Sequence, residues 1–249
     1  MAATSLATSN VDPWRMVTHM ETHFDSTATP GVHSPVRATH PVDVAVIPAL
    51  EDRHRLTALF RIILALPHLL LVGGPVAFAA SFWARDEGSR ADLSAGGGVL
   101  GAVAVVITII VWFAIVFGAR HPDGLWSLTA YYLRWRVRAV AYLTLLRDEY
   151  PPFGDGDYPA TLVMTPPVRD RDRLTVAFRP ILAIPQLIVT WILGIAWAIT
   201  TIVALISILI TGRYPASLYR FGVGVLRWST RVEAYVFLMR DEYPPFSLD

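Results

Sequence analysis

The sequence predicts a mainly α, polytopic membrane protein built as a tandem repeat, and three observations carry that reading. The chain of 249 residues is 54% hydrophobic and only 16% charged, with a mean hydropathy of +0.46. That is too apolar for an ordinary soluble domain. Long stretches contain no Asp, Glu or Arg, and several blocks of sequence occur twice in the same order.

All 21 basic residues are arginine, and there is no cysteine. Schiff-base, P-loop-lysine, thiol, iron–sulfur, Cys-ligated zinc and disulfide chemistry are therefore excluded. Twenty acids against 21 arginines leave the net charge at +1, so nucleic acid is not an expected partner.

The apolar runs set the membrane expectation. Residues 62–84 and 99–117 form uncharged runs of 23 and 19, and a third, 180–211, is 32 long. A helix needs about 20 apolar residues to cross the hydrocarbon core, so each of the first two runs suits one crossing. The third exceeds one crossing and falls short of two. Either Pro185 separates an interfacial turn from a tilted span, or Gly194 marks the tip of a hairpin.

The internal repeat organises everything else. Arg53-His54-Arg55-Leu56-Thr57-Ala58-Leu59-Phe60-Arg61 returns as Arg171-Asp172-Arg173-Leu174-Thr175-Val176-Ala177-Phe178-Arg179, at an offset of 118. Arg147-Asp148-Glu149-Tyr150-Pro151-Pro152-Phe153 returns unchanged at 240–246, at an offset of 93. The first copy therefore holds 25 surplus residues, over Gly73 to Gly98. The copies span 40–153 and 157–249. Each opens on a short alternating strand, Val42-Val44-Val46 or Ala160 to Met164, which is expected to pair between copies.

A membrane hairpin and an amphipathic interfacial helix follow in each copy, the helices at about 123–147 and 216–240. Arg134 and Arg138 stand four apart on one helix face, as do Arg227 and Arg231. Arginine and aromatic side chains on an apolar helix suit the headgroup region, so the helix is expected on the membrane or against the other repeat. Those four arginines, with Arg61 and Arg179, are the candidate contacts to lipid headgroups or partners. Arg136 breaks the pattern, having Ser229 as its counterpart.

Arginines flank both outer ends of each apolar unit. This places those ends, and both termini, on the cytoplasmic side of a multi-pass inner-membrane protein. Four membrane segments are expected, with three as the alternative.

Residues 1–39 read as a flexible arm, with Trp14, Val17 and Phe24 as a possible docking stripe. His19 and His23 have chelating spacing without fixed companions, and neither a metal nor a cofactor is expected. His68, replaced by Gln186 in the second copy, is an ionisable group within an apolar run.

The order Arg-Leu-Thr-x-x-Phe-Arg, Ile-Leu-Ala-(Leu/Ile)-Pro, Gly-Arg-Tyr-Pro, Leu-Arg-Trp, Asp-Glu-Tyr-Pro-Pro-Phe resembles domain-of-unknown-function family 4389, typical of actinobacteria. The resemblance covers Pro41 to Phe246 and implies an integral membrane protein with two copies of the domain. No activity comes with it. The expected role is a non-catalytic accessory or scaffold subunit of a membrane complex. The alternative is a protein that binds lipid or a small solute through its interfacial arginines.

Overall fold

Each repeat folds as a strand, a one-turn helix, a long apolar rod and a buried return helix. The computed structural model describes residues 40–75, 94–117, 123–166 and 171–248, all within one unit, Ala38–Asp249. The N-terminal arm, with Trp14, Val17, Phe24, His19 and His23, lies outside the described residues.

In the first repeat come β1 (Val42–Val46), α1 (Arg55–Leu59), α2 (Arg61–Val72), α3 (Ser94–Val116) and α4 (Asp123–Leu143). The second has β2 (Ala160–Met164), α5 (Arg173–Ala177), α6 (Arg179–Thr211) and α7 (Ala216–Val236). The chain is thus mainly helical with one small sheet. β1 and β2 pair antiparallel, with Val44 opposite Leu162, so the expected pairing between copies is present. Val42, Val44, Ala160 and Leu162 point into the core, while Ala45, Thr161 and Val163 face outward. This is the two-residue period of a half-buried sheet.

Several expectations about the apolar runs need correction. The helix α6 runs unbroken through Pro185 and Gly194, so no hairpin forms there. Its 33 residues make a rod of about 50 Å at ~1.5 Å per residue. In the first copy α2 stops at Val72, because Gly73 adopts φ 72°, and residues 76–84 of the first apolar run lie outside the described set. Four membrane segments are not formed among the described residues. Two helices, Gly97–Val116 and Arg179–Thr211, are long and apolar enough to cross a membrane.

The two rods correspond. At the offset of 118, Val72 matches Thr190; at the offset of 93, Gly98 matches Trp191, the next residue. The surplus therefore splits a helix that is continuous in the second copy, and the chain returns to the point of departure. Gly98 has φ 66°, and a Cβ there would stand 2.5 Å from the carbonyl carbon of Leu71. A Cβ on Gly73 would stand 2.7 Å from the Cα of Gly97. Only glycine permits backbone this close at positive φ.

Contacts along α4 confirm the continuity: Tyr142 meets Arg61, Trp135 meets His68, Arg136 meets Val72, and Tyr132 meets Gly97. In the second copy Tyr235 meets Arg179 and Trp228 meets Thr190. The indole nitrogen of Trp197 approaches Gly222 further along.

The return helices are the centre of the molecule, not an interfacial layer. In α4 the stretch from Trp135 to Tyr142 is buried, and in α7 that from Val225 to Tyr235 is buried apart from half-buried Arg227. Both helices stop earlier than expected. They close with Leu146 N–H donating to Ala141 O and Met239 N–H to Ala234 O, around Leu145 and Leu238 at φ 65° and 59°. This is the Schellman closure, here with leucine in the left-handed position.

Replacing Gly98 by alanine should lower stability by about 1–3 kcal/mol, the cost of a side chain at a strained backbone position. Gly124→Ala, where a Cβ meets nothing within 4 Å, should be neutral or stabilising by up to ~1 kcal/mol through helix propensity. Thermal melting of both variants in detergent checks the contrast.

Candidate functional site

The last turn of a helix leaves carbonyls without intrahelical partners, at the negative end of its dipole. Each repeat answers this with a buried arginine from the first turn of its apolar rod. Arg61, 1% exposed, donates from Nη1 to Tyr142 O at 2.9 Å and to Arg147 O, and its Nη2 pairs with Asp148. The same guanidinium lies 4.5 Å from the Tyr142 ring centroid.

Arg179, 2% exposed, repeats the arrangement. It donates to Arg240 O at 2.8 Å and to Tyr235 O at 3.3 Å, pairs with Asp241 at 2.7 Å, and lies 4.4 Å from the Tyr235 centroid. Both arginines were expected to reach headgroups or partners. They are instead the bolts that hold the start of each rod to the end of its return helix.

The remaining motif residues extend these knots. Arg53 pairs with Asp148 at 3.0 Å, and its counterpart Arg171 pairs with Asp241 at 3.2 Å. Arg147 holds Glu149 and donates to Ile47 O at 2.6 Å; Arg240 holds Glu242 and donates to Thr165 O at 2.7 Å. The strand exits are thereby tied to the helix ends. His68 is buried, its Nδ1 accepting from Trp135 Nε1 at 3.0 Å and its ring stacked on Phe153 at 4.5 Å. Its counterpart Gln186 donates to Pro244 O at 2.8 Å. Both therefore join the rod to the side of its return helix that carries the closing motif.

The four paired arginines are likewise occupied within the chain. Arg134 bonds Asp155 at 3.2 Å, and Arg138 donates to Gly154 O at 2.7 Å. Arg227 pairs with Asp43 at 2.9 Å and donates to Val44 O at 3.2 Å, while Arg231 donates to Val42 O at 3.3 Å. Arg227 and Arg231 thus belong to the second repeat but grip the strand of the first. Arg138 and Arg231 are buried. Burial thus withdraws Arg138 and Arg231 from the expected headgroup contacts, while Arg134 and Arg227 stay partly exposed.

One pair escaped the sequence reading. Arg136 on α4 and Glu233 on α7 form a bidentate ion pair at 2.8 and 2.9 Å, with side chains 4% and 9% exposed. Arg136 also donates to Val72 O at 2.7 Å, capping the carbonyl left open where the first rod is split. The counterparts are Ser229 and Val140, so the pair exists only between the copies. Two charges of opposite sign, each absent from its counterpart position, were the available signal. Among the described residues no cluster of three or more His, Asp or Glu is placed to hold a metal.

A double repeat of apolar rods and buried return helices, bolted together by arginine, is the architecture that this site defines. The model of a family described as Domain of unknown function (DUF4389) matches residues 97–154 and 173–247, more than half of the chain. The chain belongs to this family and carries its domain twice. The first matched segment begins at Gly97, beside the point where the split rod resumes. No curated protein and no solved structure matches the chain.

Asp148→Asn should cost about 3–5 kcal/mol, because it strands two buried guanidiniums. Asp241→Asn should cost less, since Asp241 is 35% exposed against 17% for Asp148 and water screens the loss. Denaturant titration of the two variants tests the order.

The knots also respond to acid. Burial alone would raise the carboxyls of Glu149 and Glu242; hydrogen bonds from Arg147, Arg240 and the backbone outweigh it and hold both below their ordinary 4.5. A depressed carboxylate contributes stability that is complete above its ordinary value and lost as pH falls through the lower folded value. Melting temperature should therefore fall below about pH 4.5, and less steeply in a Glu149→Gln/Glu242→Gln variant.

Proposed function

We propose that this protein is a membrane-embedded, non-catalytic accessory or scaffold subunit of a larger membrane protein assembly. The observation that carries the reading is the apolar surface of the two rods. Only 28% and 17% of their most apolar stretches are buried, whereas the core helix of a soluble protein is mostly covered. Ile195, Ile199, Ile202, Val203, Ile206 and Ile210 of α6 are between 46% and 70% exposed. A contiguous apolar surface of this extent belongs against lipid or protein.

The chemistry of the interior agrees with a role played through surfaces. The buried arginines bond their own chain's carboxylates and carbonyls, which serves rigidity. Those same bonds bury Arg138 and Arg231 and use part of the donor set of Arg134 and Arg227, which leaves less for a lipid- or solute-binding role.

Tagged protein solubilised from native membranes in mild detergent should migrate in a complex larger than its own mass. The same companions should stay at fixed stoichiometry through affinity and size separation. A homogeneous monomer, or protein recovered without membranes, contradicts the proposal.

A further inference from the structure

We infer that the two apolar rods lie flat in one leaflet of the bilayer rather than crossing it, so that the protein is monotopic. The inference rests on the membrane reading above and adds the orientation. It follows from the position of the polar parts and from how the repeats are related.

The exposed apolar surface is too long for a crossing. On α6 it runs from Ile181 at 62% exposure to Ile210 at 70%, about 44 Å at ~1.5 Å per residue. The hydrocarbon core is only ~30 Å thick. On the composite rod it runs from Ile62 to Phe117, 66% and 79% exposed. Neither surface becomes polar toward one end.

The sheet stands level with the middle of α6. Along α7, Tyr219 bonds Ile47 O, Arg227 bonds Val44 O and Arg231 bonds Val42 O. Over the same turns Gly222 approaches Trp197 and Trp228 bonds Thr190, both near mid-α6. A bilayer perpendicular to α6 would therefore enclose the two-stranded sheet, with outward Ala45, Thr161 and Val163 and two open edges. Unpaired backbone groups find no hydrogen-bond partner in hydrocarbon, and open sheet edges do not occur there exposed to lipid. A bilayer parallel to α6 leaves the sheet in water, because strand and rod occupy different faces of α7. Arg227 and Arg231, four apart, take the strand; Trp228 and Tyr235, seven apart, take the rod; Glu233 takes α4.

The repeats are related by an approximate two-fold axis perpendicular to the rods. Arg53 N–H donates to Gly212 O and Tyr214 N–H to Leu50 O, so the first rod begins beside the end of the second. Trp112 Nε1 donates to Val176 O, so the second rod begins beside the end of the first. The rods are antiparallel. If they crossed the membrane, the repeats would be inverted relative to each other, and their flanking charges should then differ in kind. Instead Arg53, Arg55 and Arg61 match Arg171, Arg173 and Arg179. A flat seat puts the axis along the bilayer normal and gives both copies the same surroundings. It also brings exposed Arg55 and Arg213 at one end, and exposed Arg173 at the other, to one headgroup layer, where each arginine near anionic lipid contributes.

The absence of cysteine makes the test direct. Single spin labels at Ile184→Cys, Ile195→Cys and Ile206→Cys, each on an exposed site of α6, are read for oxygen and nickel-chelate accessibility. The vesicles contain phosphatidylcholine and phosphatidylglycerol. All three labels should report the same depth within one leaflet. Ser217→Cys and Arg173→Cys, at opposite ends of the rods, should both react with an impermeant maleimide from the outside of sealed vesicles. A deep Ile195 label between shallow Ile184 and Ile206 labels, or one end protected until lysis, overturns the flat seat and leaves the membrane reading standing. Water exposure at all three labels overturns both.

Discussion

The buried guanidinium bound to the open end of a helix is the interaction on which the rest of this fold depends. Arg61 and Arg179 each bond one carbonyl of the last turn, a carbonyl and a carboxylate of the closing motif, and a tyrosine face. The planar fork of each guanidinium supplies five donors. Removing it from water is costly, and the surrounding acceptors offset that cost only when all are in place. The start of each rod, the end of each return helix and the Asp-Glu-Tyr-Pro-Pro-Phe exit are therefore fixed together.

Duplication supplies the second level of order. Each return helix is gripped by its own rod, while the strand that it holds belongs to the other copy: Arg227 and Arg231 of the second repeat bond Val44 and Val42 of the first. The copies consequently interlock rather than sit side by side. The Arg136–Glu233 pair is confined to this interface and has no symmetric twin. Buried pairs of that kind contribute little net stability, and their best-attested role is to specify register. Here it also caps Val72, where the surplus residues interrupt the first rod, so the departure from symmetry and its structural compensation fall at one place.

Much of this was legible in the sequence, for physical reasons that can be named. Two unlike offsets gave the duplication and the position of the surplus. Alternation gave the strands and their pairing, and the repeated closing motif marked the end of each copy. The continuity of α6 was not legible, because thirty-two uncharged residues are compatible with a rod or a hairpin and Gly194 with either. Nor was the burial of the return helices. Arginine and tryptophan on an apolar helix look alike whether the arginines meet phosphates or carbonyls, and only the fold shows which acceptors are near. Arg136 was noticed as an exception, but its partner lies 97 positions away and has no repeat counterpart to mark it.

Among the described residues, the apolar surface of the rods is turned outward while most of the arginines are turned inward. Rigidity of the interior is what allows the rods to keep one common face. That rigidity rests on coupling within the arginine knots, and a double-mutant cycle on Arg61→Met and Asp148→Asn, followed by denaturant unfolding in detergent, measures it most directly. The double variant should be less destabilised than the sum of the singles by more than ~1 kcal/mol, as contacting members of one network behave. Additivity within about 0.5 kcal/mol would contradict the central place given to these knots.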